Sequence, residues 1–132
     1  MVGLVKEYGV SNAMNRARQL RAAGAPLKAQ QRLSKAIRRY PNASHLFVMQ
    51  ADMMAEAGAA GAAMVAYGDA ADRIRKDSRL RPSSRRYLLT YVAARRVRLA
   101  EGLGLGREWR PLDHAVGKVP APTLYRRYFP AP

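Results

Sequence analysis

Small and large apolar residues recur along this chain at helical spacing. Ala17 and Leu20 are three apart, as are Ala51 and Met54; Ala29, Leu33 and Ala36 step by four and three, and Ala63, Tyr67 and Ala70 repeat those steps. Residues three and four apart share one face of an α-helix, so each set marks a buried stripe with polar residues between. The pattern predicts helices over about 12–23, from Pro26 to about Tyr40, from Ser44 to about Ala57 and over about 60–77. Ser11 or Asn12 suits the cap of the first and Ser44 that of the third, because a short side-chain oxygen accepts from a free backbone N–H there. Gly24 supplies a turn, Pro26 fits a first helical turn, and Pro41-Asn42 stops the second helix. Gly58 and Gly61 loosen the turn before the fourth. Residues 2–9 read as a short lead-in helix ended by Gly9. After a break at 79–84 that contains Pro82, Ser83 or Ser84 caps a long helix over about 84–102, with Leu88, Val92 and Leu99 near one face.

These stripes form a repeat. Residues 10–43 laid over residues 44–77, an offset of 34, place Ala17 on Ala51, Leu20 on Met54, Gly24 on Gly58, Ala29 on Ala63, Leu33 on Tyr67 and Ala36 on Ala70. Small residues meet small ones and large meet large, with the glycine between the two stripes of each unit. In this the chain resembles the tetratricopeptide repeat family, whose unit is a helix–turn–helix of about 34 residues with small residues at the helix crossing and a proline near its end. Ala17, Gly24, Ala29, Leu33, Ala36 and Pro41 match in the first unit; Ala51, Gly58, Ala63, Tyr67 and Ala70 match in the second. Arg75 stands where the second terminal proline belongs, and Ala13 where a bulky aromatic is usual, although Phe47 fills that place in the second unit.

The resemblance implies an all-α fold of antiparallel helical hairpins, a short α-solenoid over residues 1–103. Its units are about 10–43 and 44–77, and a capping helix over about 84–102 covers the exposed side of the second. It also implies a groove lined by the first helix of each hairpin, here Ser11, Met14, Asn15, Arg18 and Arg21, then His45, Val48, Met49, Asp52 and Glu56. The Lys/Asn/Arg set with which chaperone-binding members grip a peptide carboxylate is missing, while Asp52 and Glu56 give the second unit an acidic groove suited to a basic peptide. A generic alanine-rich bundle is the plain alternative fold.

Composition alters this picture in two ways. Alanine supplies 24 of the 132 residues, against two Phe and one Trp, so the core is thin and its helices lie close together. No cysteine is present, which removes disulfides, thiolate metal sites and cysteine nucleophiles. From Gly104 the periodicity is gone, and prolines at 111, 120, 122, 130 and 132 mark residues 104–132 as an extended basic tail. It carries Tyr125, Arg126, Arg127, Tyr128 and Phe129, and aromatics with arginine are the residues that anchor interfaces. The alternative is a tail folded back over its own helices.

Charge then points to a partner. The chain carries +15, distributed as +8 over residues 1–43, zero over 44–82 and +7 over 83–132. Lys28, Arg32, Lys35 and Arg39 step by four, three and four along one helix, so they share a side; Arg95, Arg96 and Arg98 form a second cluster, and Arg85-Arg86 a third. Such an imbalance predicts an anionic partner. Enzyme chemistry is not expected. His45 and His114 lack ligands at metal spacing, Asp69 and Asp72 lie beside Arg73 and Lys76, and the glycines at 102, 104 and 106 follow a helix without the Gly-Lys-Ser/Thr ending of a phosphate loop.

The expectation is a non-catalytic protein-binding scaffold or accessory subunit of a larger assembly, with no cofactor and no metal. It would dock through the basic faces (Lys28, Arg32, Lys35, Arg39, Arg95, Arg96, Arg98), the tail (Tyr125 to Phe129) and the groove (Arg18, Arg21, Asp52, Glu56). An RNA-associated protein of ribosomal type stands beside it as the alternative. Attachment to an anionic membrane ranks lower, for want of bulky apolar residues opposite the charges. No secretory signal or membrane-length apolar run is seen, so the reading is cytoplasmic. The Arg-rich start, with Glu7 its one acidic residue before residue 44, leaves the mitochondrial matrix as the alternative.

Overall fold

A computed structural model describes residues 2–104 and 128–130, with side chains from Gly9 onward. The described residues form five α-helices and no strand: α1 (Val2–Ala22), α2 (Pro26–Arg39), α3 (Ser44–Glu56), α4 (Ala60–Lys76) and α5 (Pro82–Gly102). Each helix packs on the next in sequence, and α3 also touches α1 and α5. The core runs along these contacts. Ala17, Ala29, Ala51, Ala63 and Ala70 are fully buried where the helices approach closely, with Leu33, Leu46, Met49, Tyr67, Ile74 and Leu88 filling the space between.

The turns explain why the 34-residue offset works. Gly24 has φ +77° and Gly58 has φ +83°, the left-handed region that costs a side-chain-bearing residue about 1–2 kcal/mol. In the first turn the N–H of Gly24 donates to the Arg21 carbonyl (3.0 Å) and that of Ala25 to Leu20 (2.8 Å). In the second, Gly58 donates to Ala55 (3.1 Å) and Ala59 to Met54 (3.0 Å). Both are the same helix-ending motif, with equivalent bonds 34 positions apart. No atom lies within 4 Å of a Cβ built on either glycine, so the backbone angle alone makes the demand. Gly24→Ala and Gly58→Ala are each expected to lower unfolding stability by about 1 kcal/mol, read from urea denaturation.

The helix starts differ from the sequence reading. Gly9 does not end a helix: α1 runs through it, because an isolated glycine weakens a helix without supplying the positive φ that closes one. It serves a close approach instead. A Cβ at Gly9 would overlap the Tyr40 hydroxyl and lie 2.7 Å from its Cζ, so glycine lets the end of α2 lie against α1. Ser44 is not a cap. It is the first residue of α3, behind Ala43, and its hydroxyl donates to Asp77 Oδ2 at 3.0 Å. Pro82 begins α5, where its missing N–H costs nothing, and Ser84 is buried within the helix.

Two loops are laced together below the second hairpin. Arg79 Nη2 donates to the Asn42 carbonyl at 2.7 Å, Arg85 Nη2 donates to the Asp77 carbonyl at 2.7 Å, and the Arg73 guanidinium lies 4.0 Å from the Phe47 ring centroid. Beside them, burial lowers the His45 pKa from 6.5 to about 4; nearby Asp77 opposes this and Arg79 adds to it. The folded chain therefore binds this proton less tightly than the unfolded one. His45 costs stability as pH falls from about 6.5 towards 4, and costs nothing above that window. Replacing it removes the cost: the stability of His45→Gln relative to the parent is expected to rise by about 3 kcal/mol between pH 7 and pH 4, measured by denaturant titration.

Candidate functional site

Two regions gather the charged and aromatic groups. The first is the side of α2. This helix has an N-terminal proline and buries Ala29, Leu33 and Ala36 against its neighbours. Steps of four, three and four residues return to nearly the same angular position, so Lys28, Arg32, Lys35 and Arg39 form a narrow stripe flanking that buried face. Lys28, Lys35 and Arg39 are exposed and Arg32 is half-buried. Residues 10–43 hold eight cations and no carboxylate, and among the described residues none of the four stripe cations forms an ion pair.

The second region is an open cleft of about 670 Å³ along α1, α3 and α5. Arg18, Arg21, Asp52 and Glu56, the expected groove residues, all line it, with Tyr91 and Arg95. Its acidic character is not realised. Arg21 pairs with Glu56, and Asp52 is buried under two phenols: Tyr67 Oη donates to Oδ1, and Tyr91 Oη donates to Oδ2 at 2.8 Å. Arg95 Nε in turn donates to Tyr91 Oη at 3.1 Å and its guanidinium lies over the Tyr91 ring, 5.1 Å from the centroid. Burial raises the Asp52 pKa, although both phenol hydrogen bonds favour the carboxylate. Burial and the Asp52 charge raise the Tyr67 and Tyr91 pKa values, so both hydroxyls stay protonated and act as donors. The network joins α3, α4 and α5.

The chain's own C-terminal segment closes the other side of this groove. Phe129 is fully buried, its carbonyl accepting from Tyr87 Oη and its ring 5.2 Å from that of Tyr91. Tyr128 is buried too, and its hydroxyl donates to Asn15 Oδ1 on α1 at 2.6 Å. The tail expectation is thereby corrected for Tyr128 and Phe129, which cover this chain's own helices and are not exposed to a partner. Burial of two large aromatic side chains in a ready-made groove outweighs leaving them in water. Tyr125, Arg126 and Arg127 lie outside the described residues, as does the rest of the tail from 105 to 127.

The cluster Arg95, Arg96 and Arg98 is also corrected, because it is not one face. Arg95 turns into the groove, Arg96 lies over Gly68 of α4 (3.5 Å from a Cβ built there), and Arg98 is exposed. Arg85 braces the loop before α5, while Arg86 is exposed. Sequence reading missed Tyr67, Tyr87 and Tyr91 as polar partners. The i, i+4 pair Tyr87 and Tyr91 on one side of α5 was the available signal.

No group of three or more potential metal ligands occurs among the described residues, and no described helix is long and apolar enough to cross a membrane. Comparison with protein-family models, with curated proteins and with solved structures gives no match to this chain.

Proposed function

We propose that the chain is a non-catalytic scaffold of tetratricopeptide type, an accessory subunit that docks to an anionic surface in a larger assembly through its first hairpin. The observation that carries this reading is the stripe Lys28, Arg32, Lys35 and Arg39 within residues 10–43, a stretch of eight cations without a single carboxylate. A solvated helix surface usually mixes both signs, and a one-sign surface repels itself unless a counter-charge covers it. Support for the repeat architecture comes from the identical turn bonds 34 residues apart and from the contacts of α3 with both α1 and α5. The non-catalytic reading rests on the use already made of the groove's ionisable groups: Asp52 is held by two phenols and Glu56 by Arg21.

Native size separation tests it. The tagged chain should migrate in native extract within a particle much larger than its 14.6 kDa. Lys28→Glu combined with Lys35→Glu should return it to the size of the free chain. A wild-type chain that runs alone, folded and monomeric, removes the reading.

A further inference from the structure

The partner of this stripe has recognisable chemistry, and the assignment that follows rests on the docking reading above. Four cations lie along one side of α2, at rises of about 6, 4.5 and 6 Å, over about 16 Å in all. A linear row of that kind complements a linear array of charge. Nucleic-acid backbones supply one negative charge at each phosphate, and their affinity for proteins comes largely from counterions released by such contacts. An acidic protein surface presents carboxylates in patches and its interfaces draw on buried aromatic or aliphatic anchors. The stripe has none: the one exposed large apolar residue on α2 is Leu27, beside the N-terminal proline. The same lack argues against lipid, since an interfacial helix must sink an apolar face, and that of α2 is already used against the core.

The helix is also packed in a way that selects among nucleic acids. With Ala29, Leu33 and Ala36 held in the core, the cations of α2 lie on a flank beside the buried face and not on the outward face that a packed helix lays into the major groove of duplex DNA. A flank offers contact to a backbone on an open strand or across a wide, shallow groove, the features by which RNA is recognised. Gln31, exposed beside the stripe, adds an amide that can donate to and accept from a ribose hydroxyl. We infer that Lys28, Arg32, Lys35 and Arg39 form an RNA-backbone binding site on the outer flank of α2.

The test uses the full chain and a fluorescent single-stranded oligouridylate, titrated between about 50 and 200 mM salt. Binding should weaken steeply with salt. The quadruple variant Lys28→Gln, Arg32→Gln, Lys35→Gln, Arg39→Gln should bind roughly tenfold or more weakly, with a log–log salt slope shallower by about 3, as expected for four lost contacts to a single strand. Lys28→Arg with Lys35→Arg should bind as the parent does. A second quadruple variant, with Arg75, Lys76, Arg81 and Arg86 changed to Gln, carries the same net charge and should retain most of the affinity. All four of those residues are exposed and lie off α2. Circular dichroism confirms that each variant is folded.

An unchanged slope in the α2 variant, or equal losses in both quadruple variants, overturns the site. Tighter binding to a DNA duplex than to RNA overturns the assignment to RNA. Binding to polyglutamate or to phosphatidylserine vesicles, without binding to RNA, overturns it too and leaves the scaffold reading standing. Failure to bind any of these at low salt, with the chain migrating alone in extract, removes both.

Discussion

Phe129→Ala is expected to lower the unfolding free energy by about 3–5 kcal/mol, a large share of the stability of a domain this size. The ring is fully buried and lies against Tyr91, and the residue's carbonyl accepts the Tyr87 hydroxyl. Truncation leaves a cavity lined by residues of α5 and loosens a segment joined to Gly104 through 23 further residues. The loss should appear as a fall in melting temperature of roughly 10 °C or more, with the helical circular dichroism of the native state retained. Pro130→Ala, at an exposed position, serves as the control and should change little. An unchanged melting temperature in Phe129→Ala would mean that residues 128–130 do not complete the core. The segment covers apolar surface of α5 that would otherwise face water.

The second large effect belongs to Asp52. Asp52→Ala removes the acceptor of both Tyr67 and Tyr91 and leaves two buried hydroxyls to be satisfied some other way, at a cost of about 2–4 kcal/mol. Converting the whole set to apolar groups, as Asp52→Leu with Tyr67→Phe and Tyr91→Phe, should recover much of that loss, because neither phenol is then stranded and the half-buried Arg95, which loses its acceptor on Tyr91, can turn to water. If the triple variant is no more stable than Asp52→Ala, the network is not what holds these helices. The pH response has a definite sign. Burial raises the Asp52 pKa, so the folded chain binds this proton more tightly than the unfolded chain does. Its contribution is most favourable below the ordinary carboxylate value and is lost as pH rises from about 3.8 through the raised value. Relative to Asp52→Asn, the parent should therefore gain stability on acidification through that window. The comparison is best made in the His45→Gln background, since His45 acts in the opposite direction.

Much of the helical layout was legible from local rules. The predicted bounds of α2, α3 and α4 agree with the structure to within one residue, because each is framed by local punctuation: Pro26 and Pro41 around α2, Gly58 after α3, the 60s alanines and the break after Lys76 around α4. Gly24 and Gly58 sit where a left-handed residue is required. Gly9 and Pro82 are ambiguous signals by themselves, since a glycine without positive φ continues a helix and a proline starts one. The groove was half legible: the family resemblance placed Arg18, Arg21, Asp52 and Glu56 along one groove, but not what neutralises them.

The sequence by itself determined α2 to α5 in outline, the 34-residue offset, the two turn glycines and the absence of carboxylates from residues 10–43. These depend on steric rules and spacings that act within one or two helical turns. Only the tertiary structure decided that Asp52 is claimed by Tyr67 and Tyr91, that Arg95, Arg96 and Arg98 part in three directions, and that Tyr128 reaches Asn15, 113 positions away. Those outcomes follow from which faces meet when helices pack. A charge or an aromatic ring can be counted in a sequence, but its availability depends on whether a distant part of the same chain has already covered it.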